Sequence, residues 1–397
     1  MSLVRTFVSY SSEDSDAVLS WLARAAPYGI RPWLDTEDLQ AWAGRSISEL
    51  LDEALADPDL RSLTIFVSPR SLESGWVRQE VEVMKRRCTA GSRVLPFLLD
   101  PAALDHDDAD LHALLGLEDA LCLRGDDPLV IERWGASVLG AAGVLQAPEV
   151  ALHLGARQAK WLPQGIPDAC RDLPVLDVRL HFPIGHKDVC PSADEWSAIE
   201  HGLSWLERTL RATRISVFGF APTGVFVLAG RQWDRGGGVE VQAWNWQSKE
   251  WWSVSALHAP LPRSDELEVR FESDPPPPAT FGGVLTVAVL HKTEQIELWR
   301  QWRETRRPNA LGVVLRWDPL EIETAARARH IARAVVGALL HLRGSYPNAQ
   351  VVEWVSGLPV GLNLLVAHLL RGTRGLAFLD EVRGTPLDYR QAARFTS

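Results

Sequence analysis

Glu80 stands four residues after Trp76, so on a helix the two side chains share one face, a turn apart. Three turns follow apolar, strand-like runs: Ser9-Tyr10, Leu34-Asp35 and Ser68. In an open parallel sheet the ligand crevice lies beyond the C-terminal ends of the strands, so these turns line one rim, with the Glu80 carboxylate under it. The same stretch carries Arg78, Glu82, Lys85, Arg86 and Arg87, and on spacing alone an exposed i,i+4 ion pair is the simpler reading of Glu80. A second kind of chemistry is offered further along. Two Pro-x-Gly turns, Gly219-Phe220-Ala221-Pro222-Thr223-Gly224 and Ser356-Gly357-Leu358-Pro359-Val360-Gly361, each lead from a strand into a helix. A helix start presents N–H groups and a positive dipole end, which suits a phosphodiester. Phe220, Trp233 and Trp299 are candidates to stack on bases, and His181, Lys187, His291, Lys292 and Arg316 to contact phosphate.

The elements that position these groups read as α/β. Strands are expected over 4–10, 30–34, 63–67 and 93–98, and helices over about 15–28 and 74–87. An apolar stripe at 47–55 follows the polar loop 35–45. A weak strand and a helix over 121–145 close a first domain at 1–146. Periodicity fades over 147–174, where Pro148, Pro163, Pro167 and Pro174 punctuate a linker, and a second domain is expected over 175–397. Within it, 217–229 and 354–366 align at an offset of 137 as strand, Pro-x-Gly turn and helix. Each half opens with a strand ending in Leu-His, at Leu180-His181 and Leu290-His291, though the spacing to the turn differs, 41 residues against 68. The halves run over about 175–274 and 279–397, with Pro275 to Pro278 as a stiff connector.

At 397 residues, 46% hydrophobic and 23% charged, the chain has the composition of two or three globular domains. Residues 1–150 hold 13 Lys+Arg against 25 Asp+Glu and the remainder 28 against 26, so the net charge of −10 is N-terminal. Such a surface does not coat duplex nucleic acid, which needs many cations. No run approaches the roughly 18 apolar residues of a membrane span, and no signal peptide opens the sequence, so a cytoplasmic protein without a membrane partner is expected. Cys88, Cys122, Cys170 and Cys190 are scattered, without metal-site spacing, and read as reduced structural thiols. No metal and no cofactor is expected.

Phe7-Val8-Ser9-Tyr10-Ser11-Ser12-Glu13-Asp14, Pro32-Trp33-Leu34-Asp35 and Ser68-Pro69 through Trp76-Val77-Arg78-Gln79-Glu80 arrive in order, and over about residues 3–140 the chain resembles the TIR domain family. The resemblance implies a flavodoxin-like fold. Enzymatic TIR domains cleave the bond between nicotinamide and ribose in NAD, and the family's catalytic glutamate matches Glu80. The resemblance gives Glu80 the nicotinamide-side ribose hydroxyls and the oxocarbenium-like charge. It makes Ser9, Tyr10, Trp33, Asp35, Trp42, Ser68 and Trp76 the candidate substrate contacts. The loop 35–45 departs from the Arg-Asp…Pro-Gly pattern of receptor TIR domains, keeping Gly44 and Ile47.

The C-terminal region resembles a SAVED domain, a fused pair of CARF-like (Rossmann-like) units that senses cyclic oligonucleotides in CBASS-type antiphage defence. The resemblance rests on the two Pro-x-Gly motifs. It implies a cyclic di- or trinucleotide activator, cyclic tri-AMP favoured, held by Gly219, Phe220, Pro222, Thr223, His291, Lys292, Ser356, Gly357 and Pro359. It further implies TIR domains that act on assembly into a homo-oligomer or filament. A non-catalytic TIR scaffold under a nucleotide sensor is the alternative expectation.

Overall fold

The computed structural model describes residues 2–34, 53, 57, 60–88, 93–99, 122–156, 167–180, 192–233, 238–246, 248–253, 269–273, 280–317, 324–382 and 388–395. The polar loop 35–45, the stripe 47–55 apart from residue 53, the Asp-rich segment after residue 100 and the proline connector therefore lie outside the described residues. The expected α/β class is the one observed, in three sheets. Two compact units are distinguished: Met1–His153 with Asp168–His181 and Arg208–Ala212, and Leu154–Pro167 with Phe182–Glu207 and Thr213–Ser397.

The first unit holds a five-stranded sheet in the order Arg31–Trp33, Arg5–Ser9, Ser62–Val67, Arg93–Leu98, Leu123–Arg124. Every pairing in it is parallel. This is the 2-1-3-4-5 order of flavodoxin-like folds, whose switch point lies between the first and third strands in sequence, here Arg5–Ser9 and Ser62–Val67. A central parallel strand is covered on both faces and so reads as a continuous apolar run, and all six residues of Ser62–Val67 are buried. Helix Gly75–Cys88 covers one face, placing Val77, Val81 and Met84 against Phe7, Leu63, Ile65 and Val67. The opposite face is aromatic. Trp21 of helix Ser15–Ala25 meets Phe66, Phe97 and Trp134 edge-on at about 5 Å, and Trp134 of helix Val130–Ala141 donates its Nε1–H to Thr64 (2.9 Å).

Residues 149–156, expected in a linker, form a strand. Val150, Ala151, Leu152 and Leu154 are fully buried, and the alternation was hidden because the strand is apolar on both faces. The remaining described part of the expected linker is a short turn into strand Pro174–Leu180, which pairs with Ser2–Leu3 and receives the Val4 N–H at Val175. Asp177 on that strand is held three ways: its amide donates to Gly29, its carboxylate accepts from His153 Nδ1 (2.8 Å) and Arg179 Nε (2.6 Å).

The second sheet runs Ser2–Leu3, Pro174–Leu180, Glu149–Ala156, Arg214–Phe220, Glu240–Asn245, Glu250–Ser253. The third runs Val269–Ser273, Leu311–Trp317, Val284–Leu290, Val351–Ser356, Leu376–Val382, Asp388–Phe395. Each ends in a parallel strand followed by an antiparallel edge. The internal repeat is thus real, but its opening strands were paired wrongly. Strand Glu149–Ala156 is the counterpart of Val284–Leu290, whereas Pro174–Leu180 answers to Leu311–Trp317. The apparent insertion disappears with that correction, since Leu154 lies 65 residues before Gly219 and Val289 lies 67 before Ser356.

The helices that follow the two Pro-x-Gly turns, Thr223–Gln232 and Val360–Leu370, pack on each other and on the opposite half. A Cβ on Gly224 would meet Ala392 and Asp380 of the third sheet, and one on Gly361 would meet Ala243 and Trp252 of the second. Gly230 is pressed on the Leu364 carbonyl, where a Cβ would lie at 2.1 Å. This contact is backbone, so it cannot yield. Gly230→Ala is expected to cost about 1–3 kcal/mol or more in chemical denaturation; an unchanged midpoint would contradict the helix contact.

Burial alone would raise the Asp177 pKa, but the His153 hydrogen bond and the Arg179 charge outweigh it and hold the carboxyl below its usual value. A depressed carboxyl contributes stability that is present above its unfolded pKa and lost as pH falls through the folded one. Asp177→Asn should therefore lower stability by roughly 3 kcal/mol at pH 7, with the gap to wild type closing as pH falls below the usual carboxylate range. A gap independent of pH would show that the charge is irrelevant.

Candidate functional site

Side chains alternate along a strand, so Ser9 continues the face of Phe7 and points toward helix Gly75–Cys88. Val77, Val81 and Met84 seat that helix, which sets Glu80 on the flank beside Val81. Ser9, 2% exposed, donates its hydroxyl to Glu80 Oε2 at 2.5 Å. An O–H donated to a carboxylate is of the shorter, stronger class, and it fixes the carboxylate at the end of a first strand next to the switch point. Glu82 on the same helix takes Lys85 at 3.2 Å.

The neighbouring strand ends in a second network. Ser68 caps helix Pro69–Glu73 in a reciprocal box with Ser71 and donates its own hydroxyl to Asp14 Oδ2. Arg70 reaches Asp14 and Glu13 from the same turn. Asp14 was missed as a rim residue because it reads as part of a capping turn; the Ser-Pro-Arg-Ser cap opposite was the available signal. Tyr10 is partly exposed and Trp76 is 54% exposed. Trp33 stacks on Phe7 with ring centroids 4.7 Å apart, packed against the core beneath the sheet. Asp35 and Trp42 lie outside the described residues. The structure therefore brings together Ser9 with Glu80 and Ser68 with Asp14, and commits Trp33 to packing.

In the duplicated module the same crossover rule gives each half a switch point. In the second half it lies between Val284–Leu290 and Val351–Ser356, where Val289 is registered with Ser356 and the Gly357 N–H donates to Val289. His291, Lys292, Ser356 and Gly357 all sit there. Burial, then the Lys292 charge, holds the His291 imidazole below its usual pKa. Arg316 donates to Thr293 Oγ1 at 2.8 Å, and Pro359 is exposed ahead of its helix. In the first half Gly219 is buried at φ +127°, with no room for a Cβ over Leu154, while Phe220 beside it is 54% exposed.

The helix starts behave differently from the expectation. The Gly224 amide, read as free for a phosphodiester, donates to the Asp380 carboxylate at 2.8 Å. The helix dipole is thus already answered by an internal anion. At the second turn Leu358 N–H donates to Ser356 Oγ, and Asn363 Nδ2 to the Leu358 carbonyl. Trp233 and Trp299 are 1% exposed and belong to the core, so neither offers a face to a base. His181 and Lys187 lie outside the described residues. Among the described residues no group of three or more His, Cys, Asp or Glu is placed to hold a metal ion, and no helix is long and apolar enough to cross a membrane.

Comparison with known proteins adds two findings and one blank. The chain is similar over 99% of its length to the Acinetobacter baumannii Cap4 SAVED/CARF-domain containing receptor with the cyclic trinucleotide 2'3'3'-cAAA, at 9% identity, 80% coverage of that chain and a TM-score of 0.46. It is similar over 88% to the Moraxella osloensis Cap4 SAVED/CARF-domain containing receptor, at 10% identity, 84% coverage of that chain and a TM-score of 0.39. No curated protein matches the sequence. Residues 6–122 match the TIR domain family, and with the parallel 2-1-3-4-5 sheet they identify the N-terminal part of this chain as a TIR domain.

Proposed function

We propose that this chain is an NAD glycohydrolase, releasing nicotinamide, whose TIR domain is switched on by a cyclic oligonucleotide bound to the duplicated module. The observation that carries the catalytic half is the Ser9–Glu80 hydrogen bond at the switch point of the TIR sheet. Nicotinamide leaves NAD as a neutral pyridine, so the leaving group needs no proton, in contrast to the alkoxide of an O-glycoside, which calls for a second carboxylic acid. One ionised carboxylate suffices. Glu80 takes the ribose hydroxyls on the nicotinamide side and stabilises the positive charge that develops on the sugar as the C–N bond breaks; water then attacks the anomeric carbon and yields ADP-ribose.

Ser9, being buried, acts through Glu80 as a positioning residue rather than as a substrate contact. Ser68 likewise orders the rim through Asp14. Tyr10 and the exposed Trp76 are the aromatic groups available to the nicotinamide or adenine rings, and Asp35 and Trp42 are proposed to complete the pocket. In the module, the exposed strand-end residues Phe220, Lys292 and Pro359, with His291, Ser356 and Gly357 beside them, support a ligand seated at the switch points. Activation by assembly of TIR domains into an oligomer, with cyclic tri-AMP as the favoured activator, completes the proposal.

Glu80→Gln should abolish nicotinamide release, by at least roughly 10²-fold, while activator binding and any activator-induced increase in particle size persist. Release at the wild-type rate from that variant would sink the assignment, and no NAD loss from wild type under any cyclic oligonucleotide would leave a TIR scaffold. Ser9→Ala removes a hydrogen bond to a charged group, worth about 1.5–3 kcal/mol, and should lower kcat by roughly 10- to 100-fold with KM little changed. A rise in KM at constant kcat would instead make Ser9 a binding residue.

A further inference from the structure

Phe220 is 54% exposed and lies nearly coplanar with Trp246, ring centroids 5.3 Å apart at 14°. Trp246 is braced edge-on by Trp244 (6.2 Å, 86°), which in turn meets Trp251 (5.1 Å, 63°). Along Glu240–Asn245 the buried residues are Val241, Ala243 and Asn245, so Trp244 stands on the other face of the strand. An apolar ring is thus left open while stacked on a buttressed partner.

Its place in the fold narrows what that ring meets. Phe220 ends strand Arg214–Phe220, the strand beside the switch point of the first half, and Gly219 before it, at φ +127° within the strand, lies close on the Leu154 backbone. The 137-residue offset makes Gly357 the counterpart of Phe220, so the second half has no such ring there. At its own switch point it offers the exposed ammonium of Lys292, and the strand on the other side of Val284–Leu290 ends near the guanidinium of Arg316, which is bonded to Thr293. The module therefore supplies flat aromatic surface in one half and positive charge in the other, complementary to a ligand carrying both bases and phosphates.

We infer that the Phe220–Trp246 pair is a stacking platform for one purine base of the activator, and that it sets base preference. This rests on reading the module as a receptor for a cyclic oligonucleotide. The outer face of Phe220 takes the base, Trp246 backs it, and the two-ring base is preferred over a pyrimidine because it covers more of the platform.

Calorimetric titration of the full-length protein, without NAD, with cyclic tri-AMP and with cyclic tri-UMP tests this. Wild type should bind the adenine ring more tightly. Phe220→Ala, at an exposed position, should weaken cyclic tri-AMP roughly 5- to 150-fold and narrow the difference between the two rings, and Phe220→Tyr should restore both. Equal affinity of wild type and Phe220→Ala for cyclic tri-AMP, or a preference for the uracil ring, would overturn the platform and leave the receptor reading standing. Failure of wild type to bind either ring, or any other cyclic oligonucleotide, would overturn the receptor reading and the platform together.

Discussion

A buried hydroxyl at the end of one strand holds a carboxylate on the helix that covers the sheet, and the proposed chemistry rests on this contact between Ser9 and Glu80. Its parts are set well below the site. Phe7 and the Val77, Val81, Met84 stripe fix the helix on the sheet, and strand alternation then turns Ser9 toward it. The parallel order puts Ser9 and Ser68 on adjacent strand ends at the one position where the crossovers part to opposite faces. Both side chains are engaged by carboxylates, Ser9 by Glu80 and Ser68 by Asp14. An oriented carboxylate costs nothing to reorganise when charge develops beside it, which is the condition for electrostatic stabilisation of a sugar cation.

The C-terminal module follows a different logic. Its two halves exchange helix contacts through small residues: Gly224 against the third sheet, Gly361 against the second, and Gly230 on the Leu364 carbonyl. Such close approach buries Gly224 and Gly361 in the first turns of the two helices, and the Gly224 amide is bonded to Asp380. The strand ends, by contrast, differ between the halves. Gly219 and Phe220 in one correspond to Ser356 and Gly357 in the other, so a symmetric frame carries an asymmetric lining.

Much of this was legible in the sequence where local signals were strong. The strand 93–98 falls where expected, the helix at 75–88 is displaced by one residue, and the 137-residue repeat predicts the paired helices. The strand at Glu149–Ala156 was not legible, because a strand buried on both faces lacks alternation and two prolines flank the region. The mistaken Leu-His pairing followed from that loss. Trp33 could not be assigned from sequence, since a tryptophan at a strand end serves core and ligand equally; its stack on Phe7 decides for packing. The Gly224–Asp380 bond spans 156 residues, a separation at which no local pattern speaks.

The central claim concerns where one carboxylate lies relative to one sugar. A structure of the activator-loaded protein with a non-hydrolysable NAD analogue measures it directly. The account predicts the nicotinamide-side ribose within hydrogen-bond reach of Glu80, with Ser9 still bonded to the same carboxylate. An analogue bound with that ribose away from Glu80, or a Glu80 released from Ser9 and turned out of the crevice, would contradict it.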